Sequence, residues 1–142
     1  LIHYLDASAL AKRYLEEPGS RVVRTVLRRG RAAASRISQA ELYAAAARAA
    51  RQGVIDDGDR DRILARVEAD FRDLEVVEIR TPVVRLVPEL CRRHPLRAYD
   101  AVQLACALVL ARRGAAVRFW CADDALGAAA RAEGLPSSLP TG

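Results

Sequence analysis

Four short apolar runs, at 1–5, 32–37, 76–79 and 117–122, alternate with longer stretches that carry helical periodicity, and no other feature constrains the fold as tightly. Strands separated by segments of helix length do not pair as hairpins; they pair in parallel through right-handed crossovers. The expected class is α/β, a short parallel sheet with helices on both faces. In open sheets of that kind, ligands and chemistry sit beyond the carboxyl ends of the strands. At 142 residues the chain is expected to form one such domain, 1–142.

Local signals predict the individual elements. Asp6 ends the first run abruptly, Ser8 is placed to cap a helix over 9–17, and Pro18-Gly19 stops it. A second helix begins at Ser20, gathers Val22, Val23, Val26 and Leu27 on one side, and closes at Gly30. Ser38 opens a third, with Leu42, Ala45, Ala46 and Ala49 as its apolar stripe, and another covers 57–73 with Ile63, Val67, Phe71 and Leu74 aligned. Thr81-Pro82 is a helix start, and Pro88 divides that helical stretch into two short pieces. The clearest helix is 98–113, stopped at Gly114, and the last spans 124–133. The Pro- and Ser-containing tail, 135–142, is expected to lie loosely on the surface.

Of the 18 acidic residues, most sit where water reaches them, and four do not. Asp6 ends the first strand and Asp123 comes just after the last. Asp100 has Leu104, Ala107 and Leu108 on its helical face, near a helix start, and Glu41 shares a face with Ala45 and Arg48 near another. Capping explains each alone: Ser38 to Glu41 matches a capping box, Asp100 can complement the helix dipole or pair with Arg97, and Asp6 and either Asp123 or Asp124 can be N-caps. It does not explain why all four fall at one end of one sheet. Clustered carboxylates repel unless a cation sits among them. Without thiolate or imidazole in the set, the cation is a hard one, Mg²⁺ or Mn²⁺, and its chemistry is metal-assisted phosphodiester hydrolysis. The remainder of the chain is basic, 23 Lys plus Arg giving a net charge of +5, which suits a polyanionic substrate.

Other classes are poorly supplied. Cys91, Cys106 and Cys121 form no CxxC pair and read as buried small hydrophobes; with only His3 and His94 available, a tetrahedral zinc site lacks ligands. No apolar run approaches the roughly 18 residues of a membrane span, so a cytoplasmic protein without a membrane partner is expected. Lys12 is the sole lysine, which removes the late lysine of a receiver domain, and neither GxxxxGK[ST] nor GxGxxG occurs.

At the acidic residues the sequence resembles the PIN-domain family, and most closely its VapC-type toxin ribonucleases. The resemblance rests on Tyr4-Leu5-Asp6-Ala7-Ser8-Ala9-Leu10, Ile37-Ser38-Gln39-Ala40-Glu41-Leu42, Tyr99-Asp100-Ala101-Val102-Gln103-Leu104-Ala105 and Ala122-Asp123-Asp124-Ala125-Leu126, with Ala129-Ala130 and Glu133-Gly134-Leu135 after them. It implies a three-layer α/β/α sandwich with a short parallel sheet and a Mg²⁺- or Mn²⁺-dependent endoribonuclease. It also implies a homodimer and a separate antitoxin protein that covers the acidic groove. Carried over by position, Asp6, Glu41, Asp100 and Asp123 are the metal-binding and catalytic acids, with Ser8 supporting the site. The family pattern places the fourth acid three residues before Leu126, which selects Asp123 and leaves Asp124 as the helix cap. Pro88 departs from the pattern by breaking a helix that is usually continuous. Arg36 and Arg97, near the acidic motifs, are the candidate contacts to RNA phosphates. The same resemblance leaves two alternatives, a housekeeping RNA-processing nuclease and a PIN-like module that binds RNA or protein without cutting.

Overall fold

In the computed structural model, which describes residues 1–141, five strands run β1 (Ile2–Leu5), β2 (Arg31–Ser35), β3 (Glu75–Val77), β4 (Val117–Trp120) and β5 (Ser137–Ser138). They lie in the order β3-β2-β1-β4-β5, every pair parallel. The chain starts in the middle, moves outward through β2 and β3, then returns to the other side of β1. The direction of winding therefore reverses between β1 and β4, and a crevice opens at their carboxyl ends. The Asp6 N–H donates to the Trp120 carbonyl at 3.0 Å across that junction.

The helices are α1 (Ala7–Leu10, continued by a 3-10 turn over Ala11–Arg13), α2 (Ser20–Arg29), α3 (Arg36–Arg51), α4 (Asp57–Asp73), α5 (Thr81–Val84), α6 (Val87–Arg93), α7 (Ala98–Arg112) and α8 (Asp124–Ala132). Strand alternation assigns them to two layers. Ile2, Tyr4, Ala33 and Phe119 join the apolar cluster of α5, α6, α7 and α8, whereas Leu5 and Ala34 join that of α1 to α4, which Trp120 also packs against. The expected three-layer α/β/α sandwich is thus present. The middle of α7 is buried from Gln103 to Leu110, its small Ala101, Ala105 and Ala107 bringing it close to the sheet and to α5 and α6. Among the described residues no helix is long and apolar enough to cross a membrane.

Several boundaries differ from expectation. Asp6, not Ser8, caps α1, and the helix is a single turn with a 3-10 extension rather than a run over 9–17. Ser35, not Ser38, caps α3: β2 ends earlier than its alanine run suggests, and Ser38 is fully buried inside the helix. No capping box forms between Ser38 and Glu41. Asp123, not Asp124, caps α8. Cys91 is exposed, while Cys106 and Cys121 are buried as expected. The tail is not loose over 135–141, the end of the expected stretch at 142 lying outside the described residues: Ser137–Ser138 adds β5 to the sheet edge, led in by a 2.8 Å bond from the Phe119 N–H to the Pro136 carbonyl. The carbonyl of Pro140 then seats against Gly19, where φ is +96° and an added Cβ would lie 2.2 Å from that oxygen. The expected division into two short helices is present, with the break at Arg85-Leu86 and Pro88 in the first turn of α6, and α4 spans 57–73, opened by a capping box between Asp56 and Asp59.

Candidate active site

The crevice holds its acids by helix capping. Asp6 lies directly after β1, and its Oδ1 accepts from the Ala9 N–H at 2.9 Å and from the Ser8 hydroxyl at 2.7 Å. Ser8 Oγ in turn accepts from the Ala122 N–H at 3.0 Å, so one hydroxyl ties the ends of β1 and β4 together. Asp123 caps α8 by accepting from the Leu126 N–H at 2.9 Å through Oδ1. In both aspartates the cap engages Oδ1, while Oδ2 makes no hydrogen bond among the described residues. Capping and clustering are therefore not rival readings: these two carboxylates do both. Glu41 sits in the second turn of α3, exposed, and Asp100 in the first turn of α7, half-buried.

All four acids line one cavity of about 270 Å³, together with Ser8, Tyr99 and Arg48. An adjoining cleft of about 540 Å³ shares Glu41, Tyr99, Asp100 and Asp123 and adds Arg97. A further cleft of about 550 Å³ at the other end of the strands contains none of these acids. Within it Arg13 is paired with Asp70 at 2.7 Å, and the Tyr14 hydroxyl donates to the same carboxylate at 2.7 Å.

Electrostatics bear on the same cluster. Asp6 is 4% exposed, and burial pushes its carboxyl up to about 6; the hydrogen bonds from Ser8 and Ala9 oppose the shift, and the charges of Asp100 and Asp123 add to it. Asp100 is raised by burial and by Asp123, against the pull of Arg97. Tyr99 is pushed up to about 12, first by burial, with Glu41 and Asp6 adding to the effect. Among the described residues no three such groups are already gathered as a cation cage. The donors themselves suit a hard divalent ion: carboxylates only, two of them pinned through one oxygen with the other unengaged, and one held in a desolvated place that disfavours its charge.

Beneath the acids lies a buried amide that sequence reading missed. Gln103, fully buried in α7, accepts from the Tyr4 hydroxyl at 2.6 Å and donates to Ser38 Oγ at 2.8 Å and to Tyr99 Oη at 2.9 Å. It joins β1, α3 and α7, three of the elements from which the acids project. The available signal was a lone amide within the apolar run 101–110. Arg48 was visible too, two turns after Glu41 on the same face of α3. Arg36 is not brought to the cavity: its guanidinium clasps Glu78, with contacts of 2.6 to 3.2 Å, and reaches Gln39. Arg97 borders the wider cleft and forms no ion pair among the described residues.

The PIN domain family model matches residues 3–131. The chain belongs to the PIN-domain family. Its kinship is with the VapC type: it is 35% identical over 122 residues to "Ribonuclease VapC45" of Mycobacterium tuberculosis, covering 82% of each chain. Among solved structures this PIN domain resembles FitAcB from Neisseria gonorrhoeae, with TM-score 0.71, 17% identity and 97% of both chains covered. It also resembles VapBC-5 from Mycobacterium tuberculosis, described as a member of the VapBC family of toxin-antitoxin systems, with TM-score 0.60, 20% identity and coverage of 97% and 96%. At such identities the structural likeness speaks for the PIN fold.

Proposed function

We propose that this PIN domain is a cytoplasmic endoribonuclease that hydrolyses RNA phosphodiester bonds with Mg²⁺ or Mn²⁺, and that it is the toxin of a toxin-antitoxin pair. The observation that carries the reading is the convergence of Asp6, Glu41, Asp100 and Asp123, from four separate chain segments, on one cavity at the point where the winding of the sheet reverses. These four residues would hold the cation, which when bound polarises a phosphoryl oxygen and lowers the pKa of water. Ser8 keeps the Asp6 carboxylate oriented. Arg48, which lines the acid cavity, and Arg97, which borders the adjoining cleft, attract the RNA backbone towards the acids. A surface that merely binds polyanions gains nothing from four carboxylates at its centre, so the non-catalytic alternative has no feature in its favour.

The ribonuclease relative supports RNA as substrate, and the toxin-antitoxin description of a structural neighbour supports a separate antitoxin protein as partner. Homodimer formation enters the reading through the family resemblance. Induced expression in a bacterial host is expected to arrest growth, to fail to do so for Asp100→Asn, and to be relieved by the neighbouring reading frame. Harmless expression at levels where RNA cleavage is measurable would replace the toxin reading with RNA processing.

A further inference from the structure

The buried amide beneath the acids dictates which way one hydroxyl proton cannot point. The Gln103 side chain faces one hydroxyl on one side, Tyr4, and two on the other, Ser38 and Tyr99. With Oε1 toward Tyr4, the amide accepts one hydrogen bond and donates both of its own, and every polar hydrogen of the amide is used. Reversed, Nε2 would have a single acceptor and leave one N–H buried and unpaired in a fully buried residue, a costly arrangement. The amide nitrogen therefore occupies the phenol oxygen of Tyr99 as a donor, and Tyr99 cannot give its own proton back. Ser38 also lies against the phenol, as a partner that favours its ionised form and so as a donor to it, and no hydrogen bond given by Tyr99 Oη is found among the described residues. Tyr99 lines both the acid cavity and the adjoining cleft, and its phenol is close enough to Glu41 and Asp6 to feel their charges. Of the other hydroxyl in that cavity, the proton is spent on Asp6.

We propose that Tyr99 donates its phenolic hydrogen bond to a non-bridging phosphate oxygen of RNA lying among Asp6, Glu41, Asp100 and Asp123, and that Gln103 is the positioning residue that fixes this direction. The inference rests on the nuclease reading for the place of the phosphate. A neutral donor suits this place: it offers a hydrogen bond to an anion without adding a cation that would compete with the metal for the carboxylates. Tyr4, Ser38 and Gln103 make the phenol rigid, so the contact forms with little loss of side-chain freedom.

The test uses a fluorescein-labelled single-stranded RNA of mixed sequence in Mg²⁺ buffer. In the inactive Asp100→Asn background, adding Tyr99→Phe should weaken RNA binding roughly tenfold, the worth of one hydrogen bond to a charged group. In the otherwise wild-type protein, Tyr99→Phe should lower kcat/KM by a similar factor, with an unchanged melting temperature, because the ring keeps its packing. Gln103→Glu replaces the amide donor with an oxygen and should reproduce that loss. Combined with Tyr99→Phe it should add nothing further, a non-additivity that plain loss of stability would not produce. Binding and cleavage by Tyr99→Phe within twofold of the parent, with Asp100→Asn inactive, would overturn this inference and leave the nuclease reading standing. Loss of binding on Tyr99→Phe in a protein that cleaves no RNA would uphold the phosphate contact and overturn the nuclease reading.

Discussion

Replacing Asp100 or Asp6 with asparagine is expected to lower RNA cleavage by roughly 10³-fold or more while leaving the protein folded. The size of the effect comes from the role assigned: each change removes a formal charge from the group that would hold the cation, without removing a side chain. At Asp6 the substitution keeps the oxygen that accepts from the Ala9 N–H and from Ser8, and asparagine is as good an N-cap as aspartate. At Asp100 it keeps the size of a half-buried residue in the first turn of α7. Circular dichroism and thermal melts separate lost chemistry from lost fold. Cleavage within tenfold of wild type for both variants would mean that the carboxylates do not form a working site.

The second large effect is on stability, and it runs opposite to the usual behaviour of a carboxylate. The Asp6 carboxyl stands at about 6 in the folded protein, above its ordinary 3.8, because it is buried. The folded state therefore binds its proton more tightly than the unfolded state does. Above pH 6 the ionised, desolvated group destabilises the fold; as pH falls from about 6 towards 4 the penalty is relieved. At about 1.4 kcal/mol per pKa unit, the span is on the order of 2–3 kcal/mol. Asp100 is shifted in the same direction and adds to it. In EDTA, wild-type protein should melt several degrees higher at pH 5 than at pH 7.5. Asp6→Asn should melt higher than wild type at pH 7.5 and lose most of the difference between the two pH values. Equal pH responses of the two proteins would show that the buried charge of Asp6 is not what strains the fold. The expected response of Asp6→Asn makes the site a case of function held at the expense of stability, with a bound cation supplying at neutral pH what protonation supplies at pH 5.

The strand-helix alternation was readable because a parallel sheet buried on both faces demands continuous apolar runs, and Asp6 stood out because it ends such a run without transition. The cluster was readable for the same reason: strand ends and helix starts in this topology meet at one place. What could not be read depends on contacts between distant segments. Ser35 and Ser38 are both good caps, and local chemistry does not choose between them. The choice is made by pairing of Ser35 with Val77 on β3 and by the Gln103 amide, which draws Ser38 into the core. Arg36 looked free for phosphate because its partner, Glu78, lies beyond the next strand. The β5 edge was invisible because Ser137–Ser138 has no apolar pattern and is held by backbone bonds to β4. The sequence pattern divides the roles, Asp123 for the site and Asp124 for the cap, yet Asp123 caps the helix and lines the acid cavity, since a cap needs only one of its two oxygens.

The central claim, that four carboxylates from distant parts of the chain act together through a divalent cation to cut RNA, is tested most directly by cleavage of a labelled single-stranded RNA by the purified wild-type protein in excess EDTA, then after Mg²⁺ or Mn²⁺ is restored in excess. The account predicts no cleavage with the chelator and full recovery with the metal. Cleavage that persists undiminished in EDTA would contradict it.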